Sequence, residues 1–150
     1  ARHILDEDMM VAHGIASNHG LPRMVSYARL ASLDLVIPSR RHGLRRILDE
    51  VAAEAGIALK PRLEIDTLSA ICEVVATTTL VTVLPGIALQ AMLADGRIKA
   101  RRLKSPAVVR SIAWVTNPRR VVSSAMSAVM EVITADLQSA AVSASRLARC

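Results

Sequence analysis

Residues 33–57 read LDLVIPSRRHGLRRILDEVAAEAGI, and this stretch decides the fold class. The run LDLVI (33–37) is stopped by Pro38. It reads as a strand buried on both faces, the kind found in parallel sheets. After Ser39, the residues Leu44, Ile47, Leu48, Val51 and Ala55 recur at helical spacing. Gly56 follows where a helix C-terminal glycine belongs. A buried strand passing directly into an amphipathic helix is the repeating unit of an α/β fold.

The same alternation continues on either side. Residues 57–65 contain a second strand, with Leu59, Leu63 and Ile65 on one face. Asp66-Thr67 offers an N-cap for a helix carrying Leu68, Ile71, Val74 and Val75. Residues 80–84 read as a third strand. Pro85 opens a helix at its first turn, and Gly96 ends it after Met92 and Leu93. Segments 98–103 and 108–116 are strand-like. Pro118 precedes a last helix with Val122, Met126, Val129, Ile133 and Leu137 on one stripe, and the Ala/Ser-rich tail from Gln138 is expected to fray. At the other end, an acidic turn Asp6-Glu7-Asp8 leads into the apolar run 9–12, followed by a loop with Gly14, Asn18, Gly20 and Pro22. Strands alternating with helices predict a largely parallel sheet.

Composition narrows the function. The chain has 150 residues, 52% of them hydrophobic and 21% charged, so it folds rather than staying disordered. Nineteen Lys+Arg against thirteen Asp+Glu leave a net charge of +6. Basic charge invites a nucleic-acid partner. One Trp (Trp114), one Tyr (Tyr27) and no Phe make a base-stacking module a poor fit. The charge clusters at Arg40, Arg41, Arg45 and Arg46, and again at Arg97, Lys99, Arg101, Arg102 and Lys104, without a helix-turn-helix signature. Arginine pairs equally well with the carboxylate or phosphate of a small anion. The uncharged stretch 74–94 is long enough for a membrane span, but its threonines and the central Pro85-Gly86 favour a strand and a helix. Cys72 and Cys150 form no spacing motif, and no basic-plus-apolar leader opens the chain, so a reduced cytoplasmic protein is expected.

No catalytic or metal constellation stands out. His13 and His19 lie six apart without a carboxylate or thiol at ligand spacing. Neither a nucleophile elbow nor a phosphate-binding glycine loop is present. Asp49, Glu50 and Glu54 read as a solvated helix face. In open α/β sheets, ligands bind at strand carboxyl ends beside helix N-termini. Pro38-Ser39-Arg40, Ile65-Asp66-Thr67 and Leu84-Pro85-Gly86 are such places. Free backbone N–H groups and a positive helix end suit an anion there. Arg40 and Arg41 would add charge, and His42, in the first turn of the basic helix, is within reach of the same ligand. Ser39 and Thr67 fit equally well as plain helix caps.

The segments DLVIPSRRHGLRRILDEVAAEAGI, LEIDTLSAICEVVA, TVLP and DGRIKARRL, in that order, resemble the effector-binding domain of LysR-type transcriptional regulators. The resemblance runs from about Leu5 to Leu137. It rests chiefly on the strand-P-S-R-x-H-G-L-R segment and the following E-I-D-[ST]. It implies a fold like the type 2 periplasmic binding proteins: two α/β lobes around a cleft, with lobe two complete and lobe one partial. Residues 1–33 and 117–140 would belong to lobe one, 34–116 to lobe two, and 141–150 to a tail.

The function implied is sensing, not catalysis, and no cofactor or metal is implied. A small effector, expected from the arginine count to be an organic or inorganic anion, would bind in the cleft. A homo-oligomer would contact promoter DNA through an N-terminal winged helix-turn-helix head that this stretch does not contain. By position in the motifs, Ser39 and Arg40 match the first loop of lobe two, Thr67 the polar residue after E-I-D, and Leu84 and Pro85 the turn at the cleft. Where the family commonly has a glycine-rich turn before V-L-P, this chain has Thr77-Thr78-Thr79-Leu80. An exported solute-binding protein of the same architecture is the alternative and would need a leader. A basic nucleic-acid-contacting domain is another and would show steep salt dependence.

Overall fold

The computed structural model describes residues 1–148. Along the chain lie β1 (Arg2–Gly14), β2 (Met24–Val25), α1 (Tyr27–Ala31), β3 (Val36–Ile37), α2 (Gly43–Glu54), β4 (Leu63–Glu64), α3 (Leu68–Thr77), β5 (Val81–Pro85), α4 (Gly86–Ala94), β6 (Ile98–Leu103), β7 (Val109–Trp114) and α5 (Ser124–Leu147). The α/β class follows the sequence, but the largely parallel sheet does not. β1 pairs antiparallel with β5, β6 and β7. Parallel pairing is confined to β2 with β6, β3 with β4, and a bridge from Leu35 to Val81. Local patterning sets where strands form, but strand direction is decided by partners far along the chain.

β1 ties two bodies together. Its residues 9–14 are the centre of the larger body, between β5 and β6. Side chains alternate across this strand. Met9 and Val11 join a core with Tyr27 and Leu30 of α1 and Leu44, Leu48 and Ala52 of α2. Met10 and Ala12 join a second core with Ile71, Cys72 and Val75 of α3 and Leu89 and Leu93 of α4. Leu35, Val36 and Ile37 point alternately into these two cores, which is why LDLVI is apolar throughout. Residues 2–8 of β1 instead pair with β7, beside α5, in the smaller body. Within β1, residues 9–14 thus pair with β5 and β6 of the larger body, and residues 2–8 with β7 of the smaller one.

Several local expectations are corrected. Asp6-Glu7-Asp8 is part of β1, not a turn, because β7 supplies its hydrogen-bonding edge. The expected loop holds over residues 15–22, while β2 and α1, between it and residue 33, escape the sequence reading because both are too short to show a period; Ser26 caps α1 by accepting from the Arg29 N–H. Strand 57–65 shrinks to Leu63–Glu64, and Leu63 is 40% exposed while Leu59 is buried, so they share no face. α2 is capped by His42, whose Nδ1 accepts from the Leu44 N–H at 3.2 Å, and Ser39 is not its cap. At its other end the reading holds. Gly56 has φ +74°, and the Gly56 and Ile57 N–H groups bond back to Ala53 and Ala52.

The threonine turn has a physical account. The Thr77 and Thr78 hydroxyls donate to the Glu73 and Val74 carbonyls at 2.7 and 2.6 Å. Those hydroxyls satisfy the last α3 carbonyls without a left-handed residue, and no non-glycine among the described residues has positive φ.

The tail does not fray at Gln138: α5 continues to Leu147, while Arg149 and Cys150 lie outside the described residues. The stripe Val122, Met126, Val129 and Ile133 faces solvent, with Val129 57% exposed. Half-buried Met130, Thr134, Leu137 and Ala141 and buried Ala144 form the packed stripe instead. Along it, Thr134 accepts from Trp114 Nε1 at 2.9 Å, and the Gln138 amide donates to the Ile4 carbonyl. No described helix is long and apolar enough to cross a membrane.

Candidate functional site

The three strand ends named from the sequence are each occupied differently. At the end of β3, the Ser39 N–H and hydroxyl both donate to the Asp66 carboxylate, at 2.8 and 3.0 Å. These bonds, with His42 and Arg41 nearby, hold the exposed Asp66 carboxyl below the usual carboxylate range. The 38–39 loop and the β4–α3 turn are thus joined, and the place where an anion would meet Ser39 is filled by the protein's own carboxylate.

At the end of β5, Leu84 and Pro85 are buried and present no side chain to solvent. Glu7 takes the α4 start: its Oε1 accepts the Ile87 N–H at 3.0 Å. Its Oε2 accepts Arg110 Nε at 3.0 Å and a second guanidinium bond from Nη2. Glu7 faces Arg110 directly across the β1–β7 ladder. Beside Glu7 lies a cavity of about 300 Å³ whose walls include Asp8, Met10, Ile87, Val109 and Ser145.

The start of α3 remains. Thr67 precedes it with φ −84° and ψ 111°, exposed, and makes no side-chain cap bond. Its neighbour Asp66 is held by Ser39, so neither side chain caps the first N–H groups of α3.

Ser39, Arg40 and Arg41 border an open groove of about 770 Å³, together with Lys60, Arg62 and Glu64. His42, Asp66, Thr67, Leu84 and Pro85 lie outside its lining. Arg45, one of the clustered arginines, is 1% exposed. It bonds Asp49 at 2.9 Å, Glu64 at 2.7 Å and the Pro38 carbonyl at 3.1 Å. Asp49 is therefore a partner of that guanidinium rather than part of a solvated face. Sequence reasoning missed Glu7 and Arg110. They are 103 apart, and the one available signal was a carboxylate at an inward position of an alternating strand.

Two further groups have defined chemistry. Burial pushes the Cys72 thiol up, and its Sγ lies 3.6 Å from the Ala88 carbonyl. Such a thiol is a poor nucleophile at neutral pH. Burial pushes the His13 imidazole down, and His19 and Arg101 push it further; its Nδ1 lies 3.0 Å from the Gly14 carbonyl. A base whose folded pKa is lowered binds fewer protons folded than unfolded. Stability is therefore full above about pH 6.5 and falls as pH drops towards the folded pKa. Denaturant titrations from pH 7.5 to 5 should show this loss, and His13→Phe should flatten it. An equal loss in His13→Phe would assign the effect to another group. Asp6, Asp66 and Glu73, all shifted down, titrate in a separate, more acidic window.

Comparison with known proteins adds the following. The family model described as the LysR substrate binding domain matches residues 1–138. No curated protein sequence matches the chain. Among solved structures, the effector-binding domain of QuiR in complex with shikimate is 18% identical, with a TM-score of 0.71 over 87% of this chain and 61% of that one. A cysteine mutant of Corynebacterium glutamicum OxyR is 16% identical, with a TM-score of 0.75 over 97% of this chain and 46% of that one. The reduced form of OxyR is 22% identical, with a TM-score of 0.67 over 89% and 62%. The chain thus spans from just under half to about three-fifths of the lengths of these structures. Their likeness shows the type 2 periplasmic-binding-protein-like fold.

Proposed function

The chain belongs to the LysR substrate-binding domain family, and from that membership we propose that it is the effector-sensing part of a cytoplasmic, homo-oligomeric transcriptional regulator, without enzymatic activity. Residues 9–103 act as the second lobe; the start of β1, β7 and α5 act as part of the first. Promoter DNA is contacted by a winged helix-turn-helix elsewhere in the full regulator. The solvent-facing stripe of α5 is the surface that the remainder of the first lobe covers.

The effector is a small anion held at the start of α3. Its open N–H groups and the Thr67 hydroxyl donate to the ligand, and Arg40 and Arg41 supply positive charge. Asp66 fixes the Ser39 loop at the mouth, and His42 holds the α2 start in place. Leu84 and Pro85 are buried at the β5–α4 junction and make no direct contact with the anion. The observation that carries this reading is the uncapped α3 start beside the Ser39–Asp66 pair. The α4 start, by contrast, already holds a carboxylate.

A thermal-shift and calorimetric screen of small carboxylates, phosphates and sulfate tests it. A bound anion at about 100 times its Kd adds about 2.7 kcal/mol of stability. Thr67→Val should weaken the best anion about tenfold, the worth of one hydrogen bond to a charged group, with the unliganded stability unchanged. An unchanged Kd in that variant would remove Thr67 from the site. A screen in which only cationic or neutral compounds bind would overturn the anionic assignment.

A further inference from the structure

The last turns of α5 lie beyond the stretch that matches the family, which ends at residue 138. They reach past the β1–β7 ribbon to the larger body. Ala144 is 1% exposed and is the one fully buried residue of α5 among the described residues. It is seated on Gly86, the first residue of α4. A Cβ built at Gly86 would lie 3.3 Å from the Ala144 Cβ and 3.4 Å from the Met10 Cε, so only glycine allows this approach without a shift. One turn on, Leu147 and Ala148 pack against the core that holds Leu89 and Leu93 of α4. Between these contacts, Ala141 and Ser145 form one wall of the cavity that contains Glu7 and Ile87. The C-terminal end of α5 meets the N-terminal end of α4, an arrangement that the two helix dipoles favour.

We infer that residues 139–147 are a strap that holds the start of α4 against Glu7 and closes the adjoining cavity, so that the cavity opens by release of this strap. The contact joins an element of the smaller body to the first turn of a helix in the larger one. Any change in the angle between the bodies must slide or break it. The strap is therefore a built-in restraint on cleft motion. The inference takes from the proposed function only the reading of the inter-body region as the cleft. Its test needs no ligand, so its failure is separate from failure of the anion assignment.

The Ile87 amide reports the closed state directly, because it donates to Glu7 inside the cavity. Hydrogen exchange at Ile87 is compared with exchange at Val11, a fully buried residue at the centre of the sheet. Removal of residues 139–150 should raise Ile87 exchange at least about tenfold and leave Val11 unchanged. The pair Gly86→Cys and Ala144→Cys, made with Cys150→Ser to avoid mispairing, brings Cβ atoms close to the spacing of about 3.5–4.5 Å that disulfides use. Oxidation of that pair should slow Ile87 exchange at least about tenfold relative to the reduced protein. Unchanged Ile87 exchange on oxidation overturns the proposal. If the shortened chain loses protection everywhere, Val11 included, the oxidised pair alone decides.

Discussion

Arg110→Ala is expected to destabilise the protein by about 3–5 kcal/mol, the range for removing one partner of a buried ion pair. The Glu7 side chain is 4% exposed, and Arg110 is the charged partner it bonds among the described residues. Without the guanidinium, the carboxylate keeps a single bond, from the Ile87 N–H. An uncompensated charge then stays out of water at the point where β1 passes between the bodies. Glu7→Gln should cost less, since it removes the buried charge and can still accept from Ile87. Replacing both residues with leucine should recover most of the loss, because the desolvation that the pair must overcome disappears with it. Urea unfolding of the three variants measures this. A loss below about 1 kcal/mol in Arg110→Ala would mean that water reaches the carboxylate and that the pair behaves like a surface ion pair.

Arg45→Ala is expected to cost about 2–4 kcal/mol, from truncation of a fully packed side chain and loss of the bond to the Pro38 carbonyl. Burial opposes the Arg45 charge, but its bonds to Asp49 and Glu64 outweigh that and keep the guanidinium protonated. Asp49 and Glu64 have side chains 34% and 45% exposed, so both can rehydrate once the guanidinium is gone. Their share of the loss is small for that reason, and packing and the carbonyl dominate. Arg45→Lys keeps the charge but cannot reach α2, β4 and the β3 end together, because it lacks the planar fork. It should fall between wild type and alanine. The same change should weaken anion binding, since Arg45 braces the segments that carry Ser39 and Asp66. Denaturant midpoints and anion affinity would be read on the same samples. Unaltered stability in Arg45→Ala would show that this guanidinium is not needed to hold β4 to α2.

Much of the larger body was legible in the sequence. LDLVI, the α2 stripe ended by Gly56, the start of α3 after Thr67 and the Val81–Pro85 strand all follow from local spacing, although Thr67 does not make the cap bond expected of it. Their cores are built from near neighbours on short elements, where a period of two or 3.6 residues leaves a clear mark. α5 shows the limit. Its stripe from Met126 to Ile133 is exposed, and the stripe of Met130, Thr134, Leu137, Ala141 and Ala144 packs. Which face of a helix is buried depends on what lies beside it: for α5, the β1–β7 ribbon at Thr134 and Gln138, and Gly86 of α4 at Ala144.

The site divides the same way. The sequence by itself located the strand ends where a ligand can bind, because a strand followed by a capped helix fixes those points locally. It also located the arginines that favour an anion. Tertiary structure alone decided which of these ends is open. Asp66 reaches Ser39 across 27 residues, Glu7 reaches Ile87 across 80, and Arg110 reaches Glu7 across 103. Hydrogen bonding of this kind depends on distance in space, and no periodicity along the chain encodes it. The antiparallel course of β1 and the seating of Ala144 on Gly86 belong to the same class. Both are set by which surfaces meet once the cores have formed.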